Sequence, residues 1–390
     1  MSESNQHGAF LFHSMNFLLA LFVLSTSAET NTACDLTVQL PVQGNVQTAP
    51  TPSNYSVIST DIPTEYLDLV AKDRTGWNIP ARVYEYVSVS NPVLKPVPIL
   101  SLGSEDYAEN KTHISRADFS ALLDVDYPAT SPNLLAAFVK IMKGESQDTT
   151  AVATSQAFYV VQGSGYTKSQ YATTHWGEGD MLVIPNHKDT MTHFADETAI
   201  LYWVHDEPLL RYLGVTPTEK RFEPTHYTRK MLLDSVETIK QDPDAAHKNR
   251  MGILLGNRDT EQTKTLSHTL WALMNTIPPK TVQKPHKHNS VALDLCISAG
   301  ENTYTLMSRQ IDDEGNLVNP VRMDWEAGSM FVTPPGWWHS HVNEGTEAGW
   351  VLPLQDAGLY TYQRSLDIRF APETVAQFKQ KLIAGVMDQF

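Results

Sequence analysis

The chain has 390 residues, 41% of them hydrophobic, with 29 basic against 44 acidic side chains and a formal net charge of -15. Such length and apolar content suffice for two ordinary domains with sizeable cores. The negative balance and the lack of a basic run argue against nucleic acid or anionic lipid as partners. The two cysteines, Cys34 and Cys296, lack finger or redox spacing, which argues against a disulfide framework.

Residues 1–28 carry the apolar run FLLALFVL (Phe17–Leu24) and then STSAET, where Thr26 and Ala28 suit cleavage before Glu29. Two readings stand: a signal for an exported or periplasmic protein, or a leader upstream of a start at Met15 in a cytoplasmic one. The run is short for a membrane span. Residues 29–82, rich in Thr, Ser, Pro and Asn, read as an N-terminal arm, partly helical over 61–82. A first all-β unit is expected over 83–215, with some helix in 115–143. A charged linker follows over 216–265, with the helix-prone RKMLLDSVETIKQ. A second all-β unit is expected over 266–370, and 371–390 reads as an amphipathic helix with Val375, Phe378, Leu382 and Val386 on one face.

The two β units are related. SQAFYVVQGSGYT followed by GEGDMLVIPNHKDTMTH in the first matches VALDLCISAGENTYTLM followed by EAGSMFVTPPGWWHSH in the second. Each alternates strand, Gly turn and strand before a Pro-containing corner near histidine. Alternation at Leu293, Leu295 and Ile297, and at Phe158 and Val160, puts every second side chain on one face, predicting sheets whose inner faces fill a barrel. The predicted fold class is all-β, with two double-stranded β-helix (jelly-roll) barrels.

In KPHKHNSVALDL, His286 and His288 are one residue apart, and in PPGWWHSHVN so are His339 and His341. Strand residues i and i+2 share a side, so His286 and His288 converge inside a barrel and His339 from a neighbouring strand completes a three-histidine metal face. Three imidazoles on one face suit Fe, Zn, Cu, Ni or Mn and leave positions open. His341 reads as a hydrogen-bonding or acid/base group beside the metal. Trp271 reads as a core or pocket-wall aromatic able to stack on a ring.

These residues resemble the cupin superfamily: an HxH motif, then G-x5-P-x-G-x2-H-x3-N, met here by Gly328, Pro334, Gly336, His339 and Asn343. Two such halves look like a bicupin, and HKHNSVALDL with GWWHSHVN is similar to the gentisate, salicylate and hydroxynaphthoate 1,2-dioxygenase group. The resemblance implies Fe(II) held by His286, His288 and His339, an active-site role for His341, substrate contact by Arg250, and a homo-oligomer, dimer or tetramer. It implies a small-molecule substrate and O2 as partners, and oxidative cleavage of a small hydroxylated aromatic or enolic substrate.

The chain departs from that group at several places. Asp294 stands where the group has a carboxylate-clamping arginine, which argues against gentisate itself; it is read as a fourth ligand, a substrate contact or an outward residue, with its even spacing from His286 and His288 favouring the inner face. WVLPLQD (Trp350–Asp356) lacks the group's aspartates at their aligned places. In the first half, Thr150 and Val152 match the HxH positions and Thr190 and Thr192 the second motif, while His175, His187 and His193 do not reproduce the spacing, so that half is expected to be metal-free. The alternatives are an O2-independent lyase, isomerase or decarboxylase using Zn, Mn or Ni, and a non-catalytic metal or small-ligand binding cupin.

Overall fold

The structure is a computed structural model. It describes residues 82, 84–186, 190–243 and 250–372, so the leader, nearly all of the N-terminal arm, His187, Cys34 and the helix expected within 371–390 lie outside the described residues. No helix among them is long and apolar enough to cross a membrane.

The first barrel is one eight-stranded antiparallel sheet curled on itself. Its two long strands, Ser155–Lys168 and Met191–His205, pair along most of their length. Register shifts between Val160 and Ser164 bend them, as bulges do. Gly163 sits in that bend with φ +85°, and a Cβ there would lie 2.4 Å from the Thr198 carbonyl oxygen.

The second barrel is built from two sheets. One runs Ser101–Leu102, Met330–Thr333, Ala292–Ser298, Gly349–Gln355, Trp271–Ile277, Met251–Leu255; the other runs Val321–Asp324, Thr303–Ser308, Trp338–Asn343, His286–His288, Ile368–Phe370.

Three apolar cores follow from strand alternation. The largest joins the barrels, mixing Phe138, Tyr159 and Tyr202 of the first with Leu293, Leu295 and Leu354 of the second. A second fills the first barrel with Phe158, Val160, Trp176, Leu182 and Trp203. A smaller third lies inside the second barrel: Ile277, Cys296, Met307, Trp325, Phe331 and Val351. Phe158 and Val160 therefore face a barrel interior as expected, whereas Leu293 and Leu295 do not. In the second barrel the apolar residues of that strand face the neighbouring barrel and the alternate ones, Asp294 and Cys296, point inside.

The 115–143 region is mainly loop between the strands His113–Arg116 and Leu135–Ile141, with helix only at Ser120–Leu123. The helix expected between the barrels is Arg229–Lys240, capped by Thr228 accepting from Met231 N–H, and it buries Leu232 and Val236 in the shared core. Two buried aspartates then cross-link the barrels reciprocally. Asp206 of the first accepts from Ser155 N–H and from Thr269 Oγ1 of the second; Asp356 of the second accepts from Val291 N–H and from Asn133 Nδ2 of the first. Burial raises both carboxyls, Asp356 to about 6.

Candidate metal centre

His286 pairs in register with His339 across adjacent antiparallel strands, and His288 follows two residues on. The corner before His339 is fixed by Gly336, which takes φ +78° and whose N–H donates to the His288 carbonyl at 2.7 Å. Ring centroids lie 4.1 Å (His286–His339), 5.0 Å (His288–His339) and 5.5 Å (His286–His288) apart. One nitrogen from each ring falls within 4.8 Å of the other two. Metal–imidazole bonds of about 2.0–2.1 Å require the nitrogens to approach each other by a further ångström or so.

The tautomers of His288 and His339 suit ligation through Nε2. His288 Nδ1–H donates to the Ser290 carbonyl at 2.9 Å and His339 Nδ1–H to the Trp337 carbonyl at 3.0 Å, so each ring keeps its lone pair on Nε2. Ser290 Oγ donates in turn to Gln355 Oε1 at 2.8 Å, tying the His288 loop to the opposite sheet. Burial, reinforced by the neighbouring imidazoles, holds His286 and His339 well below the usual histidine pKa, and burial brings His288 to about 4. Three neutral imidazoles are the donor set a divalent transition metal takes.

Around the triad stand the other predicted residues. Trp325 Nε1–H donates to Thr305 Oγ1 (2.8 Å), which is hydrogen-bonded to His341 Nδ1 (2.8 Å). The His341 ring centroid lies 5.8 Å from that of His339. The Arg250 guanidinium contacts His286 Nδ1 and lies 3.5 Å from the Lys284 carbonyl oxygen; burial lowers its pKa to about 9, leaving it charged at neutral pH. Trp271 is half-buried and opposite Gln355 in register; its neighbours Ala272 and Met274 face the other barrel.

Asp294 projects from the sheet opposite the histidines, 2% exposed, and accepts from Thr333 Oγ1 at 2.6 Å. Its carboxyl is pushed up to about 7 by burial, with the Thr333 bond opposing. The nitrogen cluster that can hold an ion contains the three histidines and not Asp294.

Sequence reasoning missed two features. Strand Ile368–Phe370 pairs along the whole HKH strand and stacks Phe370 on His286, centroids 5.6 Å apart at 16°; DIRF carries no motif that announces this. In the first barrel, Thr149 lies opposite Met191 as His286 lies opposite His339, and His193 pairs with Thr167 as His341 pairs with Thr305. The counterpart of His341 is thus His193 rather than Thr192. The cause is visible in the sequence: the segment from Trp176 to His193 is one residue longer than that from Trp325 to His341.

No protein-family profile matches the chain. A 5-aminosalicylate 1,2-dioxygenase of Comamonas sp. is 30% identical over 86 residues, spanning 22% of this chain and 23% of that protein. The salicylate 1,2-dioxygenase of Pseudaminobacter salicylatoxidans superposes with TM-score 0.59 at 12% identity, covering 80% of this chain and 99% of that one. A mutant of that enzyme in complex with gentisate gives TM-score 0.58 at 12% identity, covering 85% and 99%. The chain has the two-barrel cupin fold of these salicylate and gentisate-binding dioxygenase structures.

Proposed function

We propose that the protein is a mononuclear non-haem iron dioxygenase that opens a small hydroxylated aromatic or enolic substrate with O2. The observation that carries this reading is the cluster of three imidazoles with one nitrogen from each within 4.8 Å of the others, two of the rings held at Nδ1 by backbone carbonyls. The fold shared with salicylate 1,2-dioxygenase and the partial match to a 5-aminosalicylate 1,2-dioxygenase favour dioxygen chemistry over the O2-independent alternatives. Bound Fe(II) supplies the redox chemistry that couples dioxygen to an activated ring.

In this reading the chain's own groups bind, orient and protonate. Arg250 places a fixed positive charge beside the triad, where it attracts an ionised substrate oxygen. His341 stands beside His339 as a hydrogen-bonding group, held by the Trp325–Thr305 relay. Asp294 places a carboxyl inside the barrel, disfavouring a second anionic substituent there and suiting a hydroxyl or amino group. Trp271 forms part of the wall.

The test is elemental analysis of protein purified without oxygen, followed by O2 uptake with a panel of phenols and aminophenols. About one iron per chain, lost in His288→Ala together with O2 uptake, is the expected result. Stoichiometric Zn, Mn or Ni with turnover and no O2 uptake would replace this reading by a lyase or isomerase. Retention of iron and activity in His288→Ala would sink the triad itself.

A further inference from the structure

The first barrel has an opening of its own. A cavity of about 210 Å3 lies at its end, with Thr150 on the rim and Leu135 and the Trp203 ring in the wall. Leu135 and His205 face each other in register as Trp271 and Gln355 do in the second barrel, so the cavity lies at the position equivalent to the Trp271–Gln355 pair.

Its polar lining is made of donors. The Arg116 guanidinium forms no hydrogen bond or ion pair among the described residues, and Asp118, which feels its charge, is occupied by the N–H groups of Ser120 and Ala129. His205, 1% exposed, accepts from Glu207 N–H at Nδ1 (3.4 Å) and so carries its proton on Nε2, which has no hydrogen-bond partner among the described residues. Burial, with Arg116 nearby, pulls its pKa down to about 3, so the ring stays a neutral donor. Tyr127 also lines the cavity. The one carboxylate in the lining, Glu207, is neutralised by Arg211 at 2.7 Å. Among the charged groups of the lining the two arginines, the exposed Arg116 and Arg211, thus outnumber Glu207, in a chain of net charge -15.

We infer that this cavity is a second ligand site, specific for a small single-ring carboxylate whose anion sits on Arg116 and His205 and whose ring packs against Trp203. The volume lies below the about 300–1,000 Å3 of pockets for drug-sized molecules, which limits the occupant to one ring. The two barrels then divide their chemistry: the second holds the metal centre, and the first binds an organic anion without reacting with it.

The experiment is calorimetric titration of the full chain with benzoate, benzyl alcohol and inorganic phosphate, using wild type, Arg116→Gln, Arg116→Lys and the double variant His286→Ala/His339→Ala. Benzoate is expected to bind wild type and the double variant alike, because the triad lies in the other barrel. Arg116→Gln should weaken it by about tenfold or more with an unchanged melting temperature, Arg116→Lys by less, and benzyl alcohol should bind at least about tenfold more weakly than benzoate. The inference is overturned if benzoate binding survives Arg116→Gln, is lost in the double variant, is matched by benzyl alcohol, is exceeded by phosphate, or is undetectable at about 10 mM ligand.

Discussion

The two barrels share strand order and one hydrogen-bonded relay yet fill their interiors in opposite ways. Where the first places Phe158, stacked on Trp203 at 5.6 Å and packed on His193 at 4.8 Å, the second places Asp294 opposite Pro353. Where the first has Val139 and Ile184, the second has Asn275 and Thr333. The relay persists in both: Trp176 donates to Thr167, which bonds His193 Nδ1, just as Trp325 donates to Thr305, which bonds His341 Nδ1. In the first barrel, however, His193 Nε2 is closed off by Thr149 Oγ1 at 2.8 Å. The lesson is that the relay belongs to the fold, and the chemistry depends on what the ring nitrogen beyond it meets.

The strongest way to break the comparison is His339→Ala, which removes a member of the triad proposed to hold the metal, whose counterpart, Met191, contributes only packing. Loss of the metal and a fall in turnover of at least ~10³-fold, about 4 kcal/mol, is expected by elemental analysis and O2 uptake, while Met191→Ala should lower stability and leave metal content intact. Next is Phe158→Ala in the apolar barrel, a buried aromatic whose truncation should cost about 3–5 kcal/mol in urea unfolding.

Asp294 offers a pH test. Its folded pKa near 7 lies above the unfolded value of about 3.9, so folding is unpenalised below about pH 4 and loses stability as pH rises towards 7. Asp294→Asn, which still accepts from Thr333, should flatten that slope, making the variant more stable than wild type at pH 8 by up to about 4 kcal/mol and equal to it at pH 4. Equal slopes across this range would mean that the carboxyl is solvated. The smallest effects concern the relays. Thr305→Val should lower turnover about 10–100-fold while keeping the metal, whereas Thr167→Val should cost about 1–3 kcal/mol of stability with turnover unchanged.

The triad was legible in the sequence because a period of two and a Pro-Gly corner are local properties of the chain. Asp294's inward direction was legible for the same reason. The facing of Leu293 and Leu295 was not, because both sides of that strand are buried and alternation alone does not say which side meets the neighbouring barrel. His193 was misplaced because motif spacing was carried across a corner one residue longer, and register is set by hydrogen bonding between strands rather than by counting along one. Phe370 and the Asp206–Asp356 cross-links involve partners more than sixty residues apart, and no local pattern marks them.

The ligand strand His286–His288 is only three residues long and is held between Trp338–Asn343 and Ile368–Phe370. Both of these holders follow it in the chain. During synthesis the first barrel emerges and packs well before either is available. The three-histidine cluster therefore takes shape only after Ile368–Phe370 has been made, late in the folding of the second barrel.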